Sequence, residues 1–555
     1  MSITLSKRTL DDIEYDALQA VYRIPPEILT EIFLYCHHDN SVYTSRTEAP
    51  FNLFSTCQRW RAVTLSIPLL WSTFNVVFVH NASRPSLPVL NLWLDRSKMW
   101  PLSFSLMYQG TNANLEEDHY TMSKLFRPLE TLLVHLSRWR NVYLDFSDLP
   151  PNAQFAPYVP SENLMLEKFA MRTFKFHPRF ASYELISTYM DWISSLAEYS
   201  PALRDFASYG TGHISRLSGF NSFYSVPWKS LTTLKLEHVS ETLALYILQR
   251  SSSLISCDLT GLAHYPDWIP DLQHAAPQLR EEIVLPKLRA LSVTAEQDID
   301  RFWGHLILPN LEELEIWMLS SARQWHQGEE LVQFLRRSGS VAVVDSDMVT
   351  PTSFLTHGSL TSTRGPPISR LVLRNCNMRS RLASVARLLS DSLRDLRVID
   401  TALLDDAFME LLTFPERIIE QIVAPTAQSN VEQSMERKET ALCPRLEQLT
   451  LRRCITASDG RTSQMIQSRV LLPVADSSHG GDDESESGVC KLRSVRLEFS
   501  NPDHAEDVDL LREMYKAGLD GEVVMQKGVS LSYKKVKSGK MSAHVPVLDK
   551  PSSWA

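Results

Sequence analysis

Short bursts of alternating apolar and polar residues recur along most of the chain. The string Leu446-Glu-Gln-Leu449-Thr-Leu451-Arg-Arg-Cys454 puts leucines at its first, fourth and sixth places and a cysteine at its ninth. Ile368, Leu371, Leu373 and Cys376 repeat it. The first six places recur at Leu231/Leu234/Leu236, Leu288/Leu291/Val293, Leu311/Leu314/Ile316, Leu393/Leu396/Val398 and Leu492/Val495/Leu497. Weaker copies are Trp139/Val142/Leu144, Leu166/Phe169/Met171, Leu203/Phe206/Ser208 and Leu254/Cys257/Leu259. A period of two puts one face of a short strand in a core, so each copy predicts a strand. Most copies start 23 to 37 residues after the last, with longer gaps of 57, 53 and 46 before Ile368, Leu446 and Leu492. Helical stretches fall between copies at Glu241–Gln249, Gln333–Arg337 and Ala402–Ile422. Strand and helix alternate, which predicts an α/β fold built from stacked units.

The pattern differs before residue 75. Leu10, Ile13, Leu18 and Val21 recur at helical spacing, and Arg23-Ile24-Pro25-Pro26 interrupts them. Proline suits the first turn of a helix, so Pro26 starts the next one. That helix carries Ile28, Leu29, Ile32 and Phe33 as an apolar face. After a polar loop, Phe51 to Leu65 reads as one helix containing Cys57 and Trp60. Ser66-Ile67-Pro68 breaks it, ahead of Leu70-Trp71.

These residues carry a resemblance. Ile24-Pro25-Pro26-Glu27-Ile28-Leu29 with Ile32-Phe33 resembles the opening of an F-box, and Cys57-Gln58-Arg59-Trp60-Arg61 with Pro68-Leu69-Leu70-Trp71 resembles its close. The order is similar to the F-box-like proteins of higher fungi, with Ile24 in place of the commoner leucine and an insert from His38 to Pro50. The repeated strings resemble leucine-rich repeats. The resemblance implies a three-helix F-box module followed by an irregular leucine-rich-repeat solenoid. Its expected divisions are an N-terminal extension over 1–21, the F-box-like module over 22–75 and a linker into the array over 76–134. The solenoid then spans 135–500, with inserts near 338–367 and 476–488, and a cap and basic tail fill 501–555.

The family implies a function too: the substrate-recognition subunit of an SCF-type (Skp–cullin–F-box) ubiquitin ligase. Ile24, Pro25, Pro26, Ile28, Leu29, Ile32 and Phe33 are then contacts to the Skp adaptor, and Cys57, Trp60, Pro68, Leu70 and Trp71 form the module's core or rim. The adaptor brings a cullin scaffold, and the repeats hold a target protein. Two other readings stay open. One is a repeat scaffold with no ubiquitin role, and the other is an enzyme hidden in an α/β domain.

Composition narrows the classes further. The chain of 555 residues has a formal net charge of −9, which disfavours a nucleic-acid binder. Ser, Gly, Asp and Glu crowd 476–488, as in a solvated loop. Seven scattered cysteines without a C-x-x-C pair fit reduced thiols in the cytoplasm or nucleus. The most apolar window, Leu69 to Val79, is eleven residues with polar interruptions, too short for a membrane span. No phosphate-binding glycine loop, H-E-x-x-H or G-x-S-x-G string occurs, so no catalytic residue, cofactor or metal is assigned. His37-His38-Asp39 reads as a helix end, and Cys376 and Cys454 as inward-facing turn residues.

Overall fold

The alternating strings become short parallel strands. The computed structural model describes residues 23–36, 48–79, 82–109, 126–148, 160, 162–172, 192–210, 226–263, 281–319, 328–340, 365–376, 378, 381–400, 404–414, 441–470, 490–499, 504–516, 519–525 and 529–533. They fall into two compact units, one ending at Pro227 and the other beginning at Trp228. Both are mixed α/β and mostly parallel.

In the first unit the strands are β1 (Thr73–Val79), β2 (Ala82–Arg84), β3 (Leu102–Gln109), β4 (Trp139–Asp145), β5 (Lys168–Arg172) and β6 (Asp205–Tyr209). Their order in the sheet is β2-β1-β3-β4-β5-β6, with only β2 antiparallel to its neighbour. Phe74, Phe104, Val142, Phe169 and Phe206 lie in register across five strands and are all buried.

The second unit holds β7 (Thr233–Glu237), β8 (Ser256–Leu262), β9 (Ile283–Val284), β10 (Ala290–Ala295), β11 (Leu306–Ile307) and β12 (Glu313–Met318). It continues with β13 (Arg370–Arg374), β14 (Asp395–Ile399), β15 (Gln448–Arg452), β16 (Ser494–Phe499), β17 (Asp520–Met525) and β18 (Val529–Tyr533). The order is β7-β8-β10-β12-β13-β14-β15-β16-β17-β18, with β9 and β11 paired separately. Leu234, Cys257, Leu291, Leu314, Leu371, Leu396, Leu449 and Val495 form one buried ladder across it. A second runs from Leu236 through Ile316 and Leu373 to Leu497. Truncating such a leucine to alanine costs about 2–5 kcal/mol.

Sequence features start and stop the connecting helices. Ser240 accepts a hydrogen bond from the Leu243 N–H at 3.3 Å and starts Glu241–Arg250, while Asp405 accepts from Phe408 N–H at 3.0 Å and starts Asp406–Leu412. The chain leaves several strands through a left-handed residue: His238, Asn375, Asp400 and Arg453 have φ of 52°, 54°, 52° and 52°. Each donates its N–H to a carbonyl of the next strand, on Thr260, Ile399, Arg452 and Glu498. The corner thus extends the ladder by one bond before the chain turns away.

Several expectations are corrected. The segment 76–134, expected as a linker and repeat-array entry, holds part of β1, all of β3 and the helices Leu87–Ser97 and Arg127–Leu133. Aromatic and aliphatic residues share the inward places there, so the leucine template does not match. The helix expected over Phe51 to Leu65 is two, Phe51–Thr56 and Gln58–Ser66, because Cys57 is extended (φ −153°, ψ 170°). The helix Glu329–Ser340 runs into the expected insert at 338–367, whose residues 341–364 lie outside the described residues. So do residues 1–21, the loop at 476–488, His37 to Asp39 and the tail after 533. No described helix is long and apolar enough to cross a membrane.

Candidate functional site

The N-terminal helices sit in the first unit: α1 (Pro26–Tyr35), α2 (Phe51–Thr56) and α3 (Gln58–Ser66). Pro25 and Pro26 enter α1, where the missing N–H groups cost no helical bond, and Glu27 suits the positive end of the helix. The helix has two apolar stripes rather than one face. Leu29 and Phe33 turn inward and are buried, with the Phe33 ring 4.9 Å from that of Trp60. The Arg59 guanidinium donates to the Ile24 carbonyl and ties the helix entry to α3. Cys57 Sγ accepts from the Trp60 N–H at 3.4 Å, which caps α3 and accounts for the break after α2.

The outward stripe is Ile28, Ile32 and Tyr35, at 52%, 41% and 84% exposure, flanked by exposed Pro25 and Pro26. These places are i, i+4 and i+7, one line along the helix. The sequence grouping of Ile28, Leu29, Ile32 and Phe33 is therefore split. Leu29 and Phe33 are corrected from contact residues to core, and Tyr35 joins the exposed stripe. Ile24 is half-buried. The i+7 spacing from Ile28 was the available signal for Tyr35.

The closing residues divide in the same way. Leu70 and Trp71, in a turn over Pro68–Trp71, are fully buried. Trp71 Nε1 donates to the Thr64 carbonyl at 3.0 Å. Its ring packs on Trp93 at 5.4 Å, and Trp93 on Phe74 of β1 at 5.7 Å. The Arg96 guanidinium covers Trp71 at 4.4 Å. Such aromatic packing joins the helices to the strand layer and is worth about 0.5–1.5 kcal/mol per pair beyond burial. Cys57, Trp60 and Pro68 are half-buried and form the rim.

One described cluster has metal-ligating chemistry. Ligand atoms of Asp459, His504 and Asp507 lie within 4.8 Å of one another. Their oxygens are already engaged. Asp459 accepts from the Glu506 and Asp507 N–H groups, both at 3.0 Å, which starts the helix Ala505–Lys516. Asp507 accepts from Ser463 N–H at 2.7 Å, and its other oxygen is 3.1 Å from His504 Nδ1. The arrangement is a helix cap. Three of the cysteines are shielded from nucleophilic chemistry as well. Cys376, Cys443 and Cys454 are buried, and burial pushes their thiols up to about 12. The thiolate is the reactive form.

Comparison of the chain with protein-family models and with curated proteins finds no match.

Proposed function

We propose that the chain is the substrate-recognition subunit of an SCF-type ubiquitin ligase. Its N-terminal helices are an F-box module that binds the Skp adaptor, and its strand–helix units are irregular leucine-rich repeats that hold a target protein. The supporting observation is the exposed line Pro25, Ile28, Ile32 and Tyr35 on a helix whose other stripe, Leu29 and Phe33, is locked into its module. A helix anchored on one side and apolar on the other suits a partner with a hydrophobic groove.

The role is geometric, and the chain makes and breaks no bonds. The adaptor connects the module to a cullin scaffold, while the repeats keep target lysines near the charged conjugating enzyme. The gain is effective concentration. Burying the exposed halves of Ile28 and Ile32 supplies roughly 1 kcal/mol each. An aspartate at either place adds the cost of an unpaired buried carboxylate.

The test is co-purification of the full chain with a Skp adaptor, beside an Ile28→Asp/Ile32→Asp double variant. Stoichiometric binding by the wild type and a loss of about 100-fold or more in the variant, with unchanged circular dichroism, supports the role. A wild type that does not bind, or a variant that binds equally well, overturns it and leaves a repeat scaffold without a ubiquitin role.

A further inference from the structure

Among the outward places of the strands in the second unit, β8 to β12 carry Ser256, Asp258, Ala290, Ser292, Glu313 and Glu315, while β13 to β16 mix Arg370, Arg374, Arg397, Arg452 and Arg496 with Asp395 and Glu498. Small residues beside large ones leave a notch of about 160 Å³. Ser256, Ala290 and Ser292 make its floor, with Lys235 and Asp258 on one wall and Glu313, Glu315 and Arg370 on the other. That volume is well below the several hundred Å³ of a small-molecule site and matches a single side chain.

Strand register sets the width of the notch. Asp258, Ser292 and Glu315 are direct partners on three consecutive strands. Neighbouring strands lie about 4.8 Å apart, so the two carboxylate-bearing strands stand about 10 Å apart with a serine between them. A planar guanidinium over Ser292 spans that interval, with charge-assisted bonds of about 2.8 Å on each side. The carboxylates have capacity for it. Glu313 holds Arg370 through Oε2 at 3.2 Å, Glu315 holds Arg374 through Oε1 at 3.3 Å, and Asp258 accepts from Thr260 through Oδ1 at 3.3 Å. Each keeps a second oxygen outside those bonds. Arg370 is already committed to Glu313 and to Asp395, at 3.6 Å.

We propose that this notch anchors an arginine side chain from the protein segment that the strand face holds. It rests on the target-holding role above and names the chemistry of the target: a segment with one basic anchor. Arginine is favoured over lysine because its fork reaches two carboxylates at once, whereas an ammonium is a compact point charge.

The probe is a phage-displayed random dodecapeptide library, panned on the immobilised full chain. Selected peptides are expected to share arginine at one position. Ser292→Trp, which fills the floor from a half-exposed place, lowers their affinity about 30-fold or more, and Ser292→Ala does not. Asp258→Asn/Glu315→Gln, which removes charge at constant size, lowers it about 10-fold and keeps the test valid should the tryptophan variant misfold. An acidic or apolar anchor, no shared residue, or undiminished binding to a folded Ser292→Trp chain overturns the proposal. Adaptor co-purification is read in parallel. A chain that binds arginine peptides but no adaptor overturns only the ubiquitin-ligase role, and the reverse overturns only the notch.

Discussion

Arg469 is a charge fully buried without a carboxylate, and its two obvious replacements are expected to rank against chemical intuition. It lies on the helix Arg461–Val470 with no exposed surface, and among the described residues it makes no ion pair. Its guanidinium donates Nε to the Leu412 carbonyl at 2.8 Å, Nη1 to Cys443 at 2.9 Å and Nη2 to Leu442 at 2.5 Å, and sits 4.9 Å over the Phe414 ring. Burial holds the guanidinium down to about 10, which corresponds to roughly 3 kcal/mol of unfavourable burial. Arg469→Met removes that cost but orphans three carbonyls at about 1–3 kcal/mol each, a net loss centred near ~3 kcal/mol. Arg469→Lys keeps a buried charge and satisfies fewer of the three carbonyls with one compact ammonium, a net loss of about 4 kcal/mol. The assay is urea unfolding followed by circular dichroism, with hydrogen exchange at residues 442–446 to catch local opening. The reasoning fails if the lysine variant is at least as stable as the methionine variant.

Two further outcomes follow from packing and from burial. Gly521 pairs with Val495, and a methyl there would meet the Val495 carbonyl oxygen and the Tyr515 ring, so Gly521→Ala is expected to cost about 2 kcal/mol or more and to expose the end of the chain to limited proteolysis; unchanged cleavage refutes it. The thiols of Cys376, Cys443 and Cys454 are pushed up to about 12 by burial, so they stay protonated in the fold while unfolded thiols ionise near 8.5. Their contribution is complete below about pH 8.5 and is lost as pH rises from there toward 12. In Ellman titration at pH 8, exposed Cys36 reacts in the native chain and these three only after denaturant; native reaction of all of them refutes the assignment.

The strand layer was legible because its signal is local. Leu449 and Leu451 must face inward whatever follows them, and a period of two says so within six residues. β1 and β3 alternate with the same period, with Phe74, Val76 and Phe78 inward on one and Leu102, Phe104, Leu106 and Tyr108 on the other, but the mix of aromatic and aliphatic residues does not match the leucine template, which passes over them. The candidate site was half legible. Proline entry and apolar residues marked the helix, but adjacent residues such as Ile28 and Leu29 are separated by about 100° around a helix axis, and only the packing of the helix in its module, with Phe33 on Trp60, decides which one is covered. Arg469 left no mark in the sequence, since its three acceptors are backbone carbonyls, all of them more than twenty residues away. The notch was invisible for a related reason. Ser256, Ala290 and Ser292 become neighbours only through strand register.

After the first strand of each sheet, every strand pairs with one made earlier in the chain, and this bears on how the protein is made. A strand leaving the ribosome finds its partner already in place, so no part of either sheet must wait for chain that has yet to be synthesised. Long excursions between strands burden this little. Closing a flexible loop grows costlier only as the logarithm of its length, about 0.6 kcal/mol for each doubling. The connection from β14 to β15, between Ile399 and Gln448, is therefore a place where the chain can lengthen over generations while both strands keep their register.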